Sequence, residues 1–311
     1  MLNRDFSKSN KHYLNKNKFI LCGIALFLVI GLIVGCIFGF NQNYELGGYN
    51  EFSVNVGSVS GKKANEFRKE IKDIVNSYNA DVDTISVMDE GDLTQFVVRY
   101  TNEIDSSEQT EINERIASKL KIEITKISEH VEVEKIATAS DYVYTASAIL
   151  IIIAIATIFA YFRYNGASAI ALLSACVLGT LGFMSVSTIL RLTVGMSYFA
   201  MLVILNMLII YSAIQIFENI KDTSYLENND YSNAIKSGIQ KSKLRLTLLS
   251  VAVMIIGVLL VLLTQDTTRL MSINVMFMAV VLLAVSCYVV PFMWSVLITH
   301  CNKRKVKKDK N

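Results

Sequence analysis

Residues 19–40 read FILCGIALFLVIGLIVGCIFGF, an apolar run that contains no charged side chain. A helix needs about 20 such residues to cross the ~30 Å hydrocarbon core of a bilayer, so this run predicts a membrane-spanning helix. The same pattern recurs further along the chain. The six predicted spans are Phe19–Phe40, Tyr142–Phe162, Ala167–Leu190, Met196–Phe217, Leu246–Thr264 and Met271–Ile298. The sequence therefore predicts a membrane all-α bundle of six helices, whose last helix is long enough to tilt and carries a candidate kink at Pro291.

Charged residues are concentrated in one polar insert, residues 41–141, between the first and second predicted spans. The whole chain is 52% hydrophobic and 18% charged, which indicates a membrane protein with a separate polar part. The insert contains about 20 acidic and 11 basic residues, a net charge of roughly −9. Because the whole chain carries +3, the remainder carries about +12. We therefore predict an acidic exported domain on a basic membrane base.

Lysine and arginine residues are concentrated in alternate connections between the predicted spans. They precede the first span, follow the second as Arg163, separate the fourth from the fifth, and follow the last, whereas the opposite short loops contain only Arg191 and Arg269. Since cytoplasmic loops carry the excess of basic residues, we predict that both termini are cytoplasmic and that the insert lies outside. The predicted segments are a basic N-terminus (1–18), the first helix (19–40), the extracytoplasmic domain (41–141), helices two to six (142–298) and a basic tail (299–311).

The first span admits further interpretations. Ile33-Val34-Gly35-Cys36 is similar to a lipoprotein cleavage site, which would place a lipid on Cys36. Apolar residues follow Cys36, where a mature lipoprotein usually becomes polar, and this favours an uncleaved helix. Gly31, Gly35 and Gly39 recur every four residues, a spacing that lets membrane helices pack closely, although glycine is also simply common in such helices.

The insert has the periodicity of a small α+β domain. Its predicted elements follow the order β-α-β-β-α-β, which is typical of a ferredoxin-like sandwich with two helices on one face of an antiparallel sheet. That fold hosts many functions and so does not identify one. The predicted elements are strand Glu51–Val56, helix Lys62–Tyr78, strand Val82–Met88, turn Glu90–Asp92, strand Leu93–Tyr100, helix Ser107–Leu120 capped by Ser107, and the alternating segment Ile122–Ile136.

No cluster of residues in the sequence has the composition of an enzyme or metal site. The five cysteines include no Cys-x-x-Cys pair, and His12, His130 and His300 are scattered. The acidic residues of the insert are spread along its predicted surfaces without a neighbouring base or ligand. The negative charge of the insert argues against nucleic-acid binding. We therefore expect no catalysis, no metal and no cofactor.

Four short motifs mark particular places in the predicted spans. Leu46-Gly47-Gly48 follows the first span, Leu181-Gly182-Phe183 lies in the third, and the run from Ile216 to Lys221 (IFENIK) closes the fourth. A basic residue opens the fifth: it is Arg245 when counted back from the end of that span, and Lys241 when counted forward from the preceding cytoplasmic helix. With one helix, an outer domain and five helices, the chain resembles SecF, the smaller half of the SecD–SecF pair in the resistance-nodulation-division (RND) superfamily.

The resemblance implies a multi-pass protein of the bacterial cytoplasmic membrane that assists protein export. The partners it implies are a SecD-like membrane subunit, the Sec translocon and unfolded exported polypeptide. We expect Gly47 and Gly48 to permit the backbone geometry needed where the first helix enters the outer domain, with a plain turn as the alternative.

The chain departs from the family at positions that the family is thought to use for protons. The family has an Asp-Phe-x-Gly-Gly motif where this chain has Leu46-Gly47-Gly48, and Tyr44 replaces its Asp. Ala175-Cys176 align with a His-Asp pair of the family, and Tyr211-Ser212 align with an Asn-Asp pair. A carboxylate inside a span costs ~2.5–3.5 kcal/mol on insertion scales, so it is retained only for function. None of the six predicted spans contains Asp or Glu in its interior.

The polar residues of the fourth span are Asn206, Tyr211, Ser212 and Gln215. Ser212 and Gln215 lie three positions apart, on one helical face. They can hydrogen-bond across helices but cannot titrate near neutral pH. Glu218 lies at the end of the span, where solvation accounts for its charge.

We therefore predict a SecF-like accessory subunit of protein export without a proton-carrying Asp of its own. Either a SecD-like partner supplies the titrating group, with Arg245 as its counter-charge, or the protein is a divergent paralogue that has kept the scaffold and lost the pump. Two other functions stay open: a non-transporting membrane scaffold or regulator on the same fold, and half of an RND-type exporter of lipids or small molecules.

Overall fold

The computed structural model describes residues 19, 22–42, 46, 48–59, 61–78, 80, 82–90, 93–102, 104–133, 139–226, 231–263 and 266–298. The predicted N-terminus (1–18) and tail (299–311) lie outside these residues, as do Tyr44, Gly47 and positions 91–92 of the predicted turn.

The described chain is mostly helical. In chain order its helices are α1 Cys22–Phe38, α2 Gly61–Asn76, α3 Ser106–Leu120, α4 Ala139–Arg163, α5 Gly166–Ile189, α6 Met196–Leu226, α7 Tyr231–Leu263 and α8 Asp266–Ala284. Its strands are β1 Asn41–Gln42, β2 Tyr49–Gly57, β3 Val82–Glu90, β4 Leu93–Tyr100, β5 Val131–Val133 and β6 Thr193–Val194.

Five helices in the described residues are long and apolar enough to cross a membrane. Their candidate spans are Asp141–Arg163, Gly166–Ile189, Met196–Thr223, Ser237–Leu263 and Met271–Ile298. These spans overlap the second to sixth spans predicted from the sequence. The helix in the first predicted span, α1, is shorter in its described part. The protein therefore has at least the membrane helices that follow the insert.

Helices α6 and α7 extend beyond the apolar segments that predicted them. α6 continues past Phe217 to Leu226, and α7 begins at Tyr231 rather than at Leu246. Hydropathy marks where a helix meets hydrocarbon, whereas the helix continues for as long as its backbone hydrogen bonds do. The predicted fourth and fifth spans are therefore the apolar parts of two longer helices.

Helix α8 accommodates Pro291 by widening ahead of it. A π-helical turn, Val285–Val289, follows α8, and helix then continues to Ile298. Proline lacks an N–H donor and its ring crowds the carbonyl four residues earlier, here that of Cys287 within the turn. A π turn is one of the few devices that absorb such a conflict inside a continuous helix.

Residues 41–133, called here the inserted domain, contain a four-stranded antiparallel sheet in the order β3-β4-β2-β5. β2 and β4 pair from Asn50 opposite Tyr100 to Gly57 opposite Leu93. Because side chains alternate along a strand, one face of this sheet is apolar, and α2 and α3 pack on it. The core combines residues of both layers: Phe52, Val54, Phe96, Val98, Ile71, Val75, Ile112 and Ile116.

Two predicted details of the inserted domain are wrong. Asp105, not Ser107, caps α3, because its carboxylate accepts from the Ser106 amide at 2.9 Å and forms a capping box with Glu108. A carboxylate suits the positive end of the helix dipole better than a hydroxyl does. The segment from Ile122 onward is not one strand, since a 3₁₀ turn interrupts it at Ile124–Lys126 and only Val131–Val133 pairs with β2. Ile127 is buried, but it lies an odd number of positions from Ile122 and Ile124, so a single continuous strand would place it on the opposite face.

His130 joins β4 to α3 through both of its ring nitrogens. Its Nε2 lies 3.1 Å from Asn113 Oδ1, and its Nδ1 lies 2.7 Å from the Tyr100 hydroxyl. Because an amide oxygen only accepts, Nε2 donates to Asn113 and the Tyr100 hydroxyl donates to Nδ1. The Phe52 ring stacks on the imidazole at a centroid distance of 4.3 Å. Desolvation by burial lowers the pKa of His130 to about 4, so the ring is neutral near pH 7.

Helix α1 packs on α5 through two of its three regularly spaced glycines. Thr188 Oγ1 donates to the Gly31 carbonyl at 3.1 Å, and a Cβ added at Gly31 would overlap the Ser185 side chain. A Cβ added at Gly35 would lie 3.3 Å from Thr188 Cγ2. The prediction of close packing is therefore confirmed for Gly31 and Gly35. Gly39 instead has a φ of +63° and follows the end of α1 in the left-handed conformation.

Arg191 fixes the end of α1 to the connection between α5 and α6. Its Nη1 donates to the carbonyl oxygens of Phe38 and Gly39 at 3.1 and 3.0 Å. Carbonyls at a helix C-terminus lack partners within the helix, and a cation suits that negative end. Beside this contact β1 pairs in parallel with β6, with Asn41 opposite Thr193. The chain therefore leaves α1 for the inserted domain at a point anchored to the helical bundle.

Candidate functional site

Asn206, the first predicted polar residue of the fourth span, links two helices. Its side chain is fully buried in α6. Its Nδ2 donates to Thr180 Oγ1 of α5 at 2.9 Å and to the Leu202 carbonyl at 2.8 Å. A buried amide with these partners is a structural contact between helices.

Ser212 is separated from Gln215, although the two are three positions apart. Ser212 is fully buried and its hydroxyl donates to the Leu208 carbonyl of the preceding turn at 2.7 Å. Gln215 is only partly buried. The positions aligned with the family's His-Asp pair, Ala175 and Cys176, are also fully buried, in the apolar core of the bundle. The predicted polar residues therefore do not form one cluster.

One side of α6 is left uncovered by the rest of the described bundle. Ile204, Met207 and Tyr211 are 46, 51 and 52% exposed. Gln215 and Glu218 continue the same line as partly buried residues. These five residues, called here the α6 stripe, are spaced by three or four positions and so share one helical face. The stripe places three predicted site residues, Tyr211, Gln215 and Glu218, in a row.

The α6 stripe runs between α4 and α7. The Tyr164 ring, just after α4, lies 5.5 Å from the Phe217 ring, while Asn219 Nδ2 donates to Ser242 Oγ of α7 at 2.9 Å. Successive residues point about 100° apart around a helix, so Glu218 points between the α4 side and the α7 side. The stripe therefore lies on the open face of α6 between the sides that contact α4 and α7, and we call this face, flanked by those two helices, the groove.

Lys241 and Arg245 border this groove on the α7 side. Lys243, two positions from each, instead places its Nζ 5.1 Å from the centroid of the Tyr288 ring, in the π turn after α8. Residues two positions apart point to nearly opposite sides of a helix, so Lys241 and Arg245 face away from α8. Both are exposed, and neither has a hydrogen bond or ion pair to another described residue. The two predicted registers for the basic residue thus lead to the same flank of α7.

Glu218 lies at the end of the α6 stripe farthest from the inserted domain. It is partly buried beside Tyr164, a residue of the short connection between α4 and α5. Burial raises the pKa of Tyr164 to about 12, and the neighbouring Glu218 carboxylate adds to the rise. At this end the α6 stripe therefore carries a carboxylate, Glu218, and the neighbouring flank of α7 carries two cations, Lys241 and Arg245.

Gly48, the second residue of the predicted glycine pair, lies at the entrance to the inserted domain. Leu46 is buried in the core of the helical bundle, and Gly48 has a φ of +81° just before β2 begins at Tyr49. This left-handed conformation favours glycine over any other residue. The backbone requirement at Gly48 is therefore present, whereas Gly47 lies outside the described residues.

The sequence did not single out the contacts that hold α6 against α7. Gly238 approaches the α6 backbone so closely that an added Cβ would lie 2.9 Å from the Ile220 Cα. This close approach brings Asn219 and Ser242 within hydrogen-bonding distance. Asn219 lies inside the motif that closes the fourth span, and an amide followed by a small residue on the next helix is the only sequence signal of this contact.

The described residues form a polytopic membrane protein with an inserted α+β domain and an uncovered face on α6. No family profile matches the sequence, and no curated protein matches it. Solved structures of SecDF do share the fold. SecDF in its super-membrane-facing form matches 96% of this chain at 16% sequence identity, with a TM-score of 0.76. SecDF from Thermus, a translocon-associated membrane protein, matches 94% of the chain at 16% identity, with a TM-score of 0.61.

The chain spans about two fifths of these SecDF chains, 39% and 38% of their lengths. At this level of identity the likeness concerns the fold. The fold expected from the resemblance to the SecD–SecF pair is therefore supported over nearly the whole chain.

Proposed function

We propose that this protein is a SecF-like accessory subunit of the Sec protein-export machinery. It assists the passage of unfolded polypeptides across the bacterial cytoplasmic membrane, together with a SecD-like subunit and the translocon. The observation that carries the proposal is the SecDF fold over 96% of the chain. The chain spans 39% of that SecDF chain, so the proposal includes a SecD-like counterpart for the other membrane unit.

In this assignment α1 is the first of six membrane helices, which form one RND-type half. Its close packing on α5 through Gly31 and Gly35 supports that role. The inserted domain is a ferredoxin-like sandwich, which its strand order β3-β4-β2-β5 and its β-α-β-β-α-β connectivity support. The basic connections of the sequence support an orientation with both termini in the cytoplasm and the inserted domain outside.

In this proposal the chain brings two cations, Lys241 and Arg245, to the start of the α7 span, and its described spans supply no proton-carrying carboxylate. Ala175 and Cys176 are packed in the core, and Ser212 bonds only within its own helix. Proton coupling would then require a carboxylate of the SecD-like subunit, held near Arg245 or Lys241. A cation within a few ångströms favours the charged form of such a carboxylate and so sets the pH at which it releases a proton.

A second candidate is a non-transporting membrane scaffold or regulator on the same fold. The packing of Ala175 and Cys176 also favours this candidate, because it removes the titrating groups without disturbing the bundle. The third candidate, an RND-type exporter of lipids or small molecules, would need an outer cavity. An apolar cavity of about 350 Å³ does occur between α4 and α5, but it lies at their ends away from the inserted domain, near Tyr161 and Gly166.

Co-purification and secretion kinetics test the proposal together. A tagged full-length chain, purified in mild detergent, should retain a SecD-like subunit and the translocon. Arg245→Ala should slow proton-dependent secretion more than Lys241→Ala, because Arg245 lies one turn deeper in the span of α7. Wild-type secretion in both variants and in a deletion strain would refute an export function. Normal secretion in the variants but defective secretion in the deletion strain would favour the scaffold.

A further inference from the structure

The cavity between α4 and α5 opens on the outer surface of the helical bundle. Its volume is about 350 Å³, and it lies at the ends of these helices away from the inserted domain. Three side chains at its mouth, Ile158, Tyr161 and Phe162, are 57, 59 and 82% exposed. Ala169, which is 5% exposed, forms part of its inner wall. Both helices contain candidate membrane spans, so the cavity is entered from the side of the bilayer.

The size and lining of the cavity restrict what can fill it. Its lining is aliphatic and aromatic apart from the hydroxyl groups of Thr157 and Tyr161. One turn of a helix, ~10–12 Å wide with its side chains and ~5.4 Å long, already has a larger volume than the cavity, so a neighbouring membrane helix does not fit inside it. An acyl chain is narrow, flexible and apolar. The cavity therefore suits part of a lipid better than part of a protein.

One polar atom in the lining of the cavity has no partner. The Thr157 Oγ1 atom is buried and makes no hydrogen bond to another residue that the structure describes. Buried hydroxyl groups normally have such a partner. A glycerophospholipid carries ester carbonyl groups between its acyl chains and its phosphate, and a carbonyl oxygen accepts a hydrogen bond. A lipid in the cavity would therefore give Thr157 an acceptor that a hydrocarbon chain alone does not.

Positive charge lies at the outer end of the cavity. Arg163 is exposed and follows Thr157 by six residues, which is ~9 Å along the axis of α4. α5 begins at Gly166, a residue of the cavity lining, and the N-terminus of a helix is its positive end. These groups lie beyond Thr157 in the direction in which the phosphate of a lipid lies beyond its esters.

A carboxylate offsets only part of this charge. Glu218 lies near the Tyr164 hydroxyl, as does Arg163. The Tyr164 ring packs on Phe217 of α6, so Glu218 is on the α6 side of α4 and not at the mouth of the cavity. A guanidinium group has five N–H donors, and a contact with Tyr164 leaves others for a phosphate. The outer end of the cavity is therefore complementary to an anion.

We propose that the cavity binds one anionic phospholipid, with an acyl chain between α4 and α5 and its phosphate against Arg163 and the N-terminus of α5. Basic pockets between membrane helices are a recurrent kind of site for anionic headgroups. The inference goes beyond the proposed export function and requires only that the chain lies in a membrane. The bound lipid adds apolar contacts between two helices that the cavity leaves apart.

Photolabelling tests the place of binding. The full chain is reconstituted in vesicles of phosphatidylglycerol and phosphatidylcholine, with a diazirine in the acyl chain of one lipid or the other. We expect adducts of phosphatidylglycerol to be concentrated in residues 157–170. Ile158→Trp fills the mouth of the cavity and should abolish this concentration. Ile151→Trp is the matched control and should preserve it, because Ile151 lies two turns away on the same face, outside the lining, and is 58% exposed.

A charge substitution tests the headgroup. One cation near the membrane surface changes the binding of an anionic lipid roughly fivefold, so Arg163→Gln should weaken the binding of phosphatidylglycerol by about that factor. The binding of phosphatidylcholine should change much less. Lys241→Gln removes another exposed cation, on α7, and should leave both lipids unaffected. Native mass spectrometry of the full chain, released from mild detergent at a series of lipid concentrations, counts the bound lipids.

Several results would overturn the inference. Adducts spread evenly over the lipid-facing helices, equal binding of the two lipids, or equal losses in the two tryptophan variants would indicate bulk lipid only. A lipid-free dimer joined through this face would show that a second copy of the chain covers the cavity. Elution as a single species in detergent verifies the folding of each variant. If Ile158→Trp does not fold, Arg163→Gln decides the question, because its side chain is exposed.

Discussion

Among single residues, the buried polar side chains of α6 differ in where their hydrogen bonds go. Asn206 bonds to another helix through Thr180, whereas Ser212 bonds to Leu208 of its own helix. The bond of Asn206 links two helices, whereas the bond of Ser212 adds no contact between helices. The two residues are therefore expected to respond differently to the same small change.

Asn206→Ala should destabilise the bundle by about 1–2 kcal/mol, because it removes the bond to Thr180 and leaves that hydroxyl with one partner fewer. Ser212→Ala should have little effect on stability or secretion, since the hydroxyl bonds only within its own helix and does not titrate near neutral pH. Reversible unfolding in detergent and secretion assays measure the two responses. A collapse of proton-dependent secretion in Ser212→Ala at normal protein level would contradict the second expectation.

The inserted domain has a pH response of its own at His130. Uncharged Tyr100, Asn113 and Phe52 surround the ring, and burial lowers its pKa from 6.5 to about 4. Between these values the unfolded domain binds a proton at His130 that the folded domain does not, so the contribution of His130 to stability falls as the pH drops from 6.5 to 4 and is constant below that.

Hydrogen exchange of β4 and α3 in the full chain should therefore accelerate between pH 7 and pH 4, after correction for the intrinsic exchange rate. His130→Leu removes the titrating group and should flatten this part of the profile. The other two histidines, His12 and His300, lie outside the inserted domain and do not contribute to this local measurement. An identical pH profile in wild type and His130→Leu would exclude the assigned cause.

At the level of elements, the contact between α6 and α7 depends on a glycine. Gly238 faces the α6 backbone, and an added Cβ would lie 2.9 Å from the Ile220 Cα and 3.1 Å from the Asn219 carbonyl oxygen. Backbone atoms cannot relieve a close contact by a change of rotamer, as a flexible side chain can. A methyl group here therefore has to separate the two helices and weaken the bond between Asn219 and Ser242.

Gly238→Ala should lower the stability of the chain by about 1–3 kcal/mol, the usual cost of overpacking. Gly23→Ala is the matched control, because Gly23 is also helical and an added Cβ there has no neighbour within 4 Å. Alanine is the better helix former by ~1 kcal/mol, so the control should be neutral or slightly stabilising. Thermal unfolding in the same detergent compares the two variants, and equal shifts would show that the close approach has no cost.

For the whole molecule, the sequence predicts what depends on local composition. The second to sixth spans coincide with apolar helices because hydropathy is a property of each segment. The ends of α6 and α7 were missed because polar residues continue a helix once it leaves hydrocarbon. The cap of α3 was misplaced by two residues because two nearby side chains, those of Asp105 and Ser107, are both of a type that caps helices.

The candidate site depends on packing and could be predicted only in part. The polar residues of α6 were identified from their type alone, but which of them lie in the groove depends on where α4 and α7 pack. Periodicity placed Ser212 with Gln215, yet the neighbouring helices bury Ser212 completely and leave Gln215 partly open. Lys241 and Arg245 looked like competing candidates and instead share one flank of α7.

The parallel pairing of β1 with β6 attaches the start of the inserted domain to the helical bundle. Arg191 and this pair attach the chain leaving α1 to the turn between α5 and α6, and Leu46 is held in the bundle a few residues later. A tilt of α5 against α6 would therefore be transmitted to β2, because only a few residues separate Leu46 from the start of that strand at Tyr49. Because β3, at the edge of the sheet, also contacts α8, the same displacement would change a second contact between the inserted domain and the helical bundle.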